Sequence, residues 1–90
     1  MLRLTERAAT LFREIQLAQE DREKVLRLMD RGDGFELAFD AVQEDDHVFR
    51  SEGTDVLLVS PDIAEILADA TIDAQDTPEG PRLTLSSQSA

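Results

Sequence analysis

The apolar residues near the start of the chain recur at the spacing of an α-helix. Four of them lie three or four positions apart and are separated by charged or amide side chains: Ala8, Leu11, Phe12 and Ile15. Thr5 precedes them at the position of an N-cap, and Glu6 suits the first helical turn. The pattern predicts a strand over residues 2–4, a helix over Glu6–Ala18, and a polar connector over residues 19–24.

After residue 24 the apolar period changes from 3.6 to 2, which indicates strands. Phe35, Leu37 and Phe39 alternate with Glu36, Ala38 and Asp40, as in a half-buried strand. The predicted strands are 25–29, 35–40, 47–50, 55–59, 71–75 and 82–85, and the turns between them are 30–34, 43–46, 51–54 and 77–80. The four phenylalanines lie on predicted apolar faces, and we expect all of them to pack in the core: Phe12, Phe35, Phe39 and Phe49.

A second helix is predicted to begin at Ser60, Pro61 and Asp62. Ser is a preferred N-cap, Pro fits the first helical position, and Asp favours the positive end of the helix. The apolar stripe that follows predicts about ten helical residues and consists of Ile63, Ile66, Leu67 and Ala70. Six or seven strands with two helices predict a β-rich α+β domain over residues 1–85, with a flexible C-terminal tail over 86–90.

The composition supports one folded domain without covalent cross-links. Leu, Ile, Val and Phe make up 25 of the 90 residues, which is above the share of roughly 20% below which disorder is expected. The chain has no Cys, so disulfides, cysteine nucleophiles and cysteine-ligated clusters are excluded.

The charge is strongly negative and unevenly distributed. The net charge is −11. Residues 1–31 contain seven Lys or Arg against six acids, whereas residues 32–90 contain Arg50 and Arg82 against fourteen acids. A solvated acidic surface is the simpler interpretation; the alternative is a negative face that steers a basic protein partner. Nucleic acid and anionic membranes are disfavoured as partners. No apolar run is long enough to span a membrane and no signal-peptide core is present, so we expect a cytoplasmic protein.

The order of elements resembles the A-type iron–sulfur carrier family, also called HesB/IscA-like proteins. The resemblance implies a HesB-like fold of two small mixed β layers, with an N-terminal helix and a second short helix. It covers about residues 2–85 and is carried by the stretches 4–9, 35–40, 44–49, 53–59, 66–73 and 80–85.

The chain departs from that family at the cluster ligands, which the resemblance implies to be three cysteines. One lies in the loop of the first hairpin, here residues 30–34, and two lie after the last strand, where this chain has Ser86, Ser87, Gln88 and Ser89. A serine hydroxyl stays protonated near neutral pH and lacks the soft sulfur that iron–sulfur clusters favour. We therefore predict no cofactor-binding residue and no cofactor.

No catalytic or metal site is predicted either. His47 follows Glu44, Asp45 and Asp46, and these groups could form a weak iron or hard-metal site, but adjacent turn residues direct their side chains apart and a solvated turn is favoured. Asp30 and Asp33 do not meet the spacing of an EF-hand loop. The single His has no evident nucleophile as a partner.

Two functions are consistent with the sequence. One is a non-enzymatic accessory protein of iron–sulfur or sulfur metabolism that acts by protein contact. The other is a diverged acidic interaction or regulatory module outside that pathway. Both place the function on a surface rather than in a catalytic site.

Overall fold

The structure is a computed structural model that describes residues 2–21 and 23–87. Within this part of the chain, two helices and seven strands follow one another: β1 (Arg3–Leu4), α1 (Glu6–Ala18), β2 (Lys24–Asp30), β3 (Phe35–Ala41), β4 (His47–Ser51), β5 (Thr54–Val59), α2 (Pro61–Ile66), β6 (Ala70–Thr77) and β7 (Gly80–Ser87). The α+β class and the N-terminal helix over Glu6–Ala18 are confirmed.

The strands form two small sheets. One has the order β1-β6-β7 and the other the order β3-β2-β5-β4. Each is mixed, because β1 pairs with β6 and β2 pairs with β5 in parallel while the remaining pairs are antiparallel. The predicted architecture of two mixed β layers is therefore confirmed.

Helix α1 begins where the sequence predicts. The Thr5 side-chain oxygen accepts a hydrogen bond from the Ala8 backbone N–H at 3.1 Å, and the Thr5 hydroxyl donates to Asp73 Oδ1 on β6 at 2.7 Å. Arg7 also binds the Asp73 carboxylate. The pKa of Asp73 lies well below its usual range because Arg7 and then Thr5 donate hydrogen bonds to the charged form. These contacts attach the start of α1 to β6.

The core lies where α1 and the two sheets meet. Ala8 and Phe12 of α1 are fully buried, and Leu11 and Ile15 pack against the core as predicted. Close packing of this kind supplies most of the stability of a small domain. The largest side chains with almost no exposed surface are Phe12, Leu28, Leu57, Leu58, Ile72, Val56 and Val59.

Phe39 does not pack in the core as predicted, because it is 40% exposed. It lies on β3, one of the two edge strands of the four-stranded sheet, and α1 packs on β2, β4, β5 and β6 instead. The alternating pattern predicts this strand correctly but does not predict that it lies at the edge of the sheet. Phe12 is fully buried, and Phe35 and Phe49 are partly buried against the core.

The second helix is shorter than predicted. It ends at Ile66, which is 66% exposed and does not join the buried stripe. The Leu67 N–H bonds to the Ile63 carbonyl and the Ala70 N–H bonds to the Leu67 carbonyl, so the chain turns directly into β6. The Ser60 side chain makes no capping hydrogen bond, contrary to our prediction, although its carbonyl accepts from the Ala64 N–H.

The last strand is longer than predicted. Ser86 and Ser87, which the sequence analysis assigned to the tail, pair with Thr71 and Ala70 in β7. Residues 88–90 lie outside the described residues, so a flexible tail there stays a prediction.

Candidate functional site

The hairpin turn between β2 and β3 occupies the position of the first family cysteine. The Arg31 N–H bonds to the Gly34 carbonyl at 2.8 Å, and Asp30 Oδ1 accepts from the Gly32 N–H at 2.8 Å. Gly32 has φ +87°, a conformation that glycine adopts without strain. The turn is exposed and is closed by one backbone hydrogen bond and by the Asp30 side chain.

Of the residues at the second family position, the structure describes Ser86 and Ser87, and these lie at the end of β7 away from the hairpin turn. Phe35 and Leu37, which follow the hairpin turn, line a groove with Pro81 and Leu83 near the start of β7. Ser87 lies at the other end of β7, about 17 Å along the strand from Arg82 at the usual rise per residue. The residues present at the two positions are carboxylates and hydroxyls, and this donor set does not fit a cluster that requires thiolates.

The acidic turn before His47 is built around a buried ion pair rather than a metal site. Arg27 Nη1 and Nη2 donate to the two carboxylate oxygens of Asp46 at 2.7 and 2.6 Å, and Nε donates to Asp40 at 2.9 Å. The Asp46 side chain is 2% exposed and that of Arg27 is 10% exposed. The Arg27 hydrogen bonds hold the pKa of Asp46 below its ordinary value.

Sequence reasoning missed this pair. Arg27 is a single charge in the apolar strand β2, and its register partner on β5 is the fully buried Leu58. An arginine at such a position needs a carboxylate partner, which was the signal available in the sequence. Both carboxylate oxygens of Asp46 are bound by Arg27. Among residues 2–21 and 23–87, no group of three or more His, Asp or Glu side chains is arranged to hold a metal ion.

An apolar pocket of about 480 Å³ lies between β4 and the α2 region. Leu2, which precedes β1, also contributes to its wall. His47 is exposed and is the one ionisable side chain among the described residues that line this pocket. The lining consists of Leu2, His47, Val48, Phe49, Ala64 and Ala68.

Four arginines of residues 1–31 pair with acids from the rest of the chain. Arg7 binds Asp73, Arg13 binds Glu52, Arg31 binds Glu36, and Arg27 binds Asp40 and Asp46. These ion pairs neutralise part of the negative charge carried by residues 32–90. Four exposed carboxylates lie within three positions of a lining residue in the sequence and have no ion-pair partner among the described residues: Glu44, Asp45, Asp62 and Glu65. We call these four residues the acidic rim.

The described helices include no segment both long enough and apolar enough to cross a membrane.

Solved structures with the same architecture connect this fold to iron–sulfur proteins. SufA of Escherichia coli, described as involved in the biosynthesis of iron–sulfur clusters, superposes with a TM-score of 0.67 at 23% identity over 96% of this chain and 84% of SufA. IscA with its 2Fe–2S cluster gives 0.61 at 16% identity over 97% of this chain and 85% of IscA. A protein from Aquifex aeolicus gives 0.69 at 22% identity, over 97% and 91%.

The sequence itself matches no family model and shows no significant similarity to a curated protein. The structural matches establish a HesB/IscA-like fold, which the sequence resemblance predicted. The chain thus combines the fold of iron–sulfur carriers with a sequence that contains no cysteine.

Proposed function

We propose that this protein is a non-enzymatic, cytoplasmic accessory protein of iron–sulfur cluster assembly or related sulfur metabolism, and that it acts by binding other proteins. The single observation that carries the proposal is a fold shared with SufA and IscA in a chain without any thiol. A surface retained from a carrier fold can still be recognised by proteins of the same pathway when the ligand site is lost.

Direct transport of a cluster is disfavoured by the chemistry of the residues at the family's ligand positions. The hairpin turn offers Asp30 and Asp33, and Asp30 already accepts a backbone hydrogen bond within the turn. Exposed carboxylates are hard oxygen donors, whereas iron–sulfur clusters are held by soft thiolates. The protein would therefore contribute contacts rather than ligands.

The unpaired acidic residues support a protein partner with a basic surface. Opposite charge on two proteins accelerates their encounter and selects among partners. With a net charge of −11, the protein favours such a partner and repels other acidic proteins.

The experiment that tests the proposal is a deletion of the gene in its own organism, followed by activity assays of iron–sulfur enzymes. We expect these activities to fall, to recover with the wild-type gene, and to leave enzymes without clusters unchanged. Anaerobic affinity purification of the tagged protein should enrich proteins of cluster assembly or sulfur metabolism. Unchanged iron–sulfur enzyme activities in the deletion strain would contradict the proposal.

A second candidate function is an acidic interaction or regulatory module outside this pathway. The absence of any cysteine favours it, because a chain without cluster ligands does not need to keep a role in cluster assembly. Enrichment of partners without any link to sulfur or iron, together with normal iron–sulfur enzyme activities, would support this alternative.

A further inference from the structure

The pocket between β4 and α2 has the shape and lining of a site for an apolar side chain. Phe49 of β4, which packs against the core, lines the pocket together with Ala64 and Ala68, whose small side chains leave room. Its volume of about 480 Å³ lies within the range of ligand pockets. The pocket is open on one side, so a group can enter without a change in the fold.

The backbone beside this pocket belongs to an edge strand. β4 pairs with β5 on one side, and no strand among the described residues pairs with its other side. An edge strand presents N–H and C=O groups to which an extended peptide can add, and alternate side chains of that peptide then point into pockets beside the strand.

The acidic rim favours an occupant with positive charge. Glu44 and Asp45 lie in the turn that leads into β4, and Asp62 and Glu65 lie on α2. Arg50, the one arginine on β4, is bound to Asp55. The rim is therefore negative, and lysine or arginine side chains on either side of an apolar residue would complement it.

We propose that this pocket binds an extended basic segment of a partner protein, which pairs with the edge of β4 and places one apolar side chain between Phe49 and Ala68. The inference rests on the proposed function for the existence of a protein partner and names the surface and the peptide chemistry. A second copy of this chain is a poorer occupant, since two molecules of net charge −11 repel each other.

The test uses a synthetic peptide, Lys-Val-Lys-Leu-Lys, titrated into ¹⁵N-labelled full-length protein while amide chemical shifts are recorded. We expect saturable shifts concentrated in residues 47–51 and 63–68. Ala68→Trp fills the pocket and should weaken binding by about tenfold or more. Ala18→Trp, at an exposed alanine near the end of α1, is the matched control and should leave the affinity unchanged.

A second pair of variants separates the site from general charge attraction. Glu65→Lys at the rim should weaken binding, whereas Glu79→Lys in the turn between β6 and β7 changes the net charge equally and should have little effect. A peptide with Ser in place of Val and Leu should bind more weakly than the apolar one. Equal losses for the two Lys variants, or shifts spread over all acidic regions, would overturn the proposal.

The same measurements also distinguish the peptide from a second copy of this chain, and they separate failure of this site from failure of the proposed function. Shifts of the same residues that depend on protein concentration without peptide would assign this face to a second copy and overturn the peptide site. Because peptide binding is measured on purified protein, its failure removes this site alone. The proposed function fails separately, through iron–sulfur enzyme activities in the deletion strain.

Discussion

Arg27 and Asp46 form a two-pronged ion pair that joins β2 to the loop before β4, with Nη1–Oδ1 and Nη2–Oδ2 distances of 2.7 and 2.6 Å. Asp46 Oδ2 also accepts from the Gln43 N–H at 2.7 Å, which closes the loop on itself. Arg27 Nη2 donates to the Ala41 carbonyl at 3.0 Å. One guanidinium thus fixes both ends of the connection between β3 and β4.

Replacement of Asp46 by Asn should destabilise the protein strongly, because a nearly buried guanidinium loses its main counter-ion. Removal of one partner of a buried pair costs roughly 3–5 kcal/mol, and Asp40 should limit the loss to about 3 kcal/mol. Urea unfolding measures the change in the free energy of unfolding. Asp45→Asn, at the exposed neighbouring position, is the control and should change it little; equal effects of the two variants would contradict a role for the pair.

Stability should fall on acidification below about pH 4. Asp46 and Asp73 both have pKa values lowered from the ordinary 3.8, so the folded state binds fewer protons than the unfolded state in this range. Their contribution is complete above the unfolded pKa and is lost as pH falls toward the folded values. The free energy of unfolding, measured from neutral pH to about pH 2, should depend less on pH in Asp73→Asn than in the parent.

Asp33→Asn serves as the control for the acid experiment because Asp33 is exposed in the hairpin turn and forms no ion pair with a described residue. Its acid profile should follow that of the parent. If Asp73→Asn shows the same acid dependence as the parent, the contacts of Asp73 with Arg7 and Thr5 do not contribute to the pH response.

The local elements were predictable from the sequence, whereas their arrangement was not. The Thr5 cap and the spacing up to Ile15 set α1 through local interactions, and the alternation from Phe35 to Phe39 set a strand in the same way. The position of a strand in the sheet depends on contacts between residues far apart in sequence. Phe39 is exposed because its strand, β3, lies at an edge. The pocket beside His47 likewise requires Leu2, β4 and Ala64 to meet, which no local pattern contains.

Truncation of two phenylalanines should have different effects. Phe12 is fully buried, so Phe12→Ala should cost about 3–5 kcal/mol, a large share of the stability of a small domain. Phe39 is 40% exposed, and Phe39→Ala should cost only about 1–2 kcal/mol. Thermal unfolding of the two variants compares them directly. A larger loss for Phe39→Ala would mean that β3 is packed differently from the structure.

The melting temperature should rise between low and moderate ionic strength. A net charge of −11 on 90 residues creates repulsion that salt screens over about 10 Å at 0.1 M. Salt also weakens exposed ion pairs such as Arg31–Glu36, but each of them contributes little to the free energy of unfolding. Thermal scans in sodium chloride measure the response, and Glu65→Lys, which makes the net charge less negative, should reduce it. A flat response would show that the ion pairs offset the repulsion.

The purified protein should not hold a cysteine-ligated iron–sulfur cluster, either alone or as a dimer. Such a cluster needs thiolates, and two copies of a chain without Cys supply none. Anaerobic reconstitution with iron and sulfide, followed by desalting, should leave no stoichiometric visible absorbance and no acid-labile sulfide. IscA, whose solved structure contains a 2Fe–2S cluster, is the positive control when treated in parallel.

Residual iron should behave as a weakly held ion. Carboxylates such as Glu44 and Asp45, or the imidazole of His47, bind iron through oxygen and nitrogen, and a chelator should remove it readily. Iron that survives both desalting and chelator, with an equal amount of acid-labile sulfide, would contradict the prediction. Such iron would also contradict the proposal that the protein acts by protein contact alone, because the chain would then hold a cluster with ligands other than cysteine.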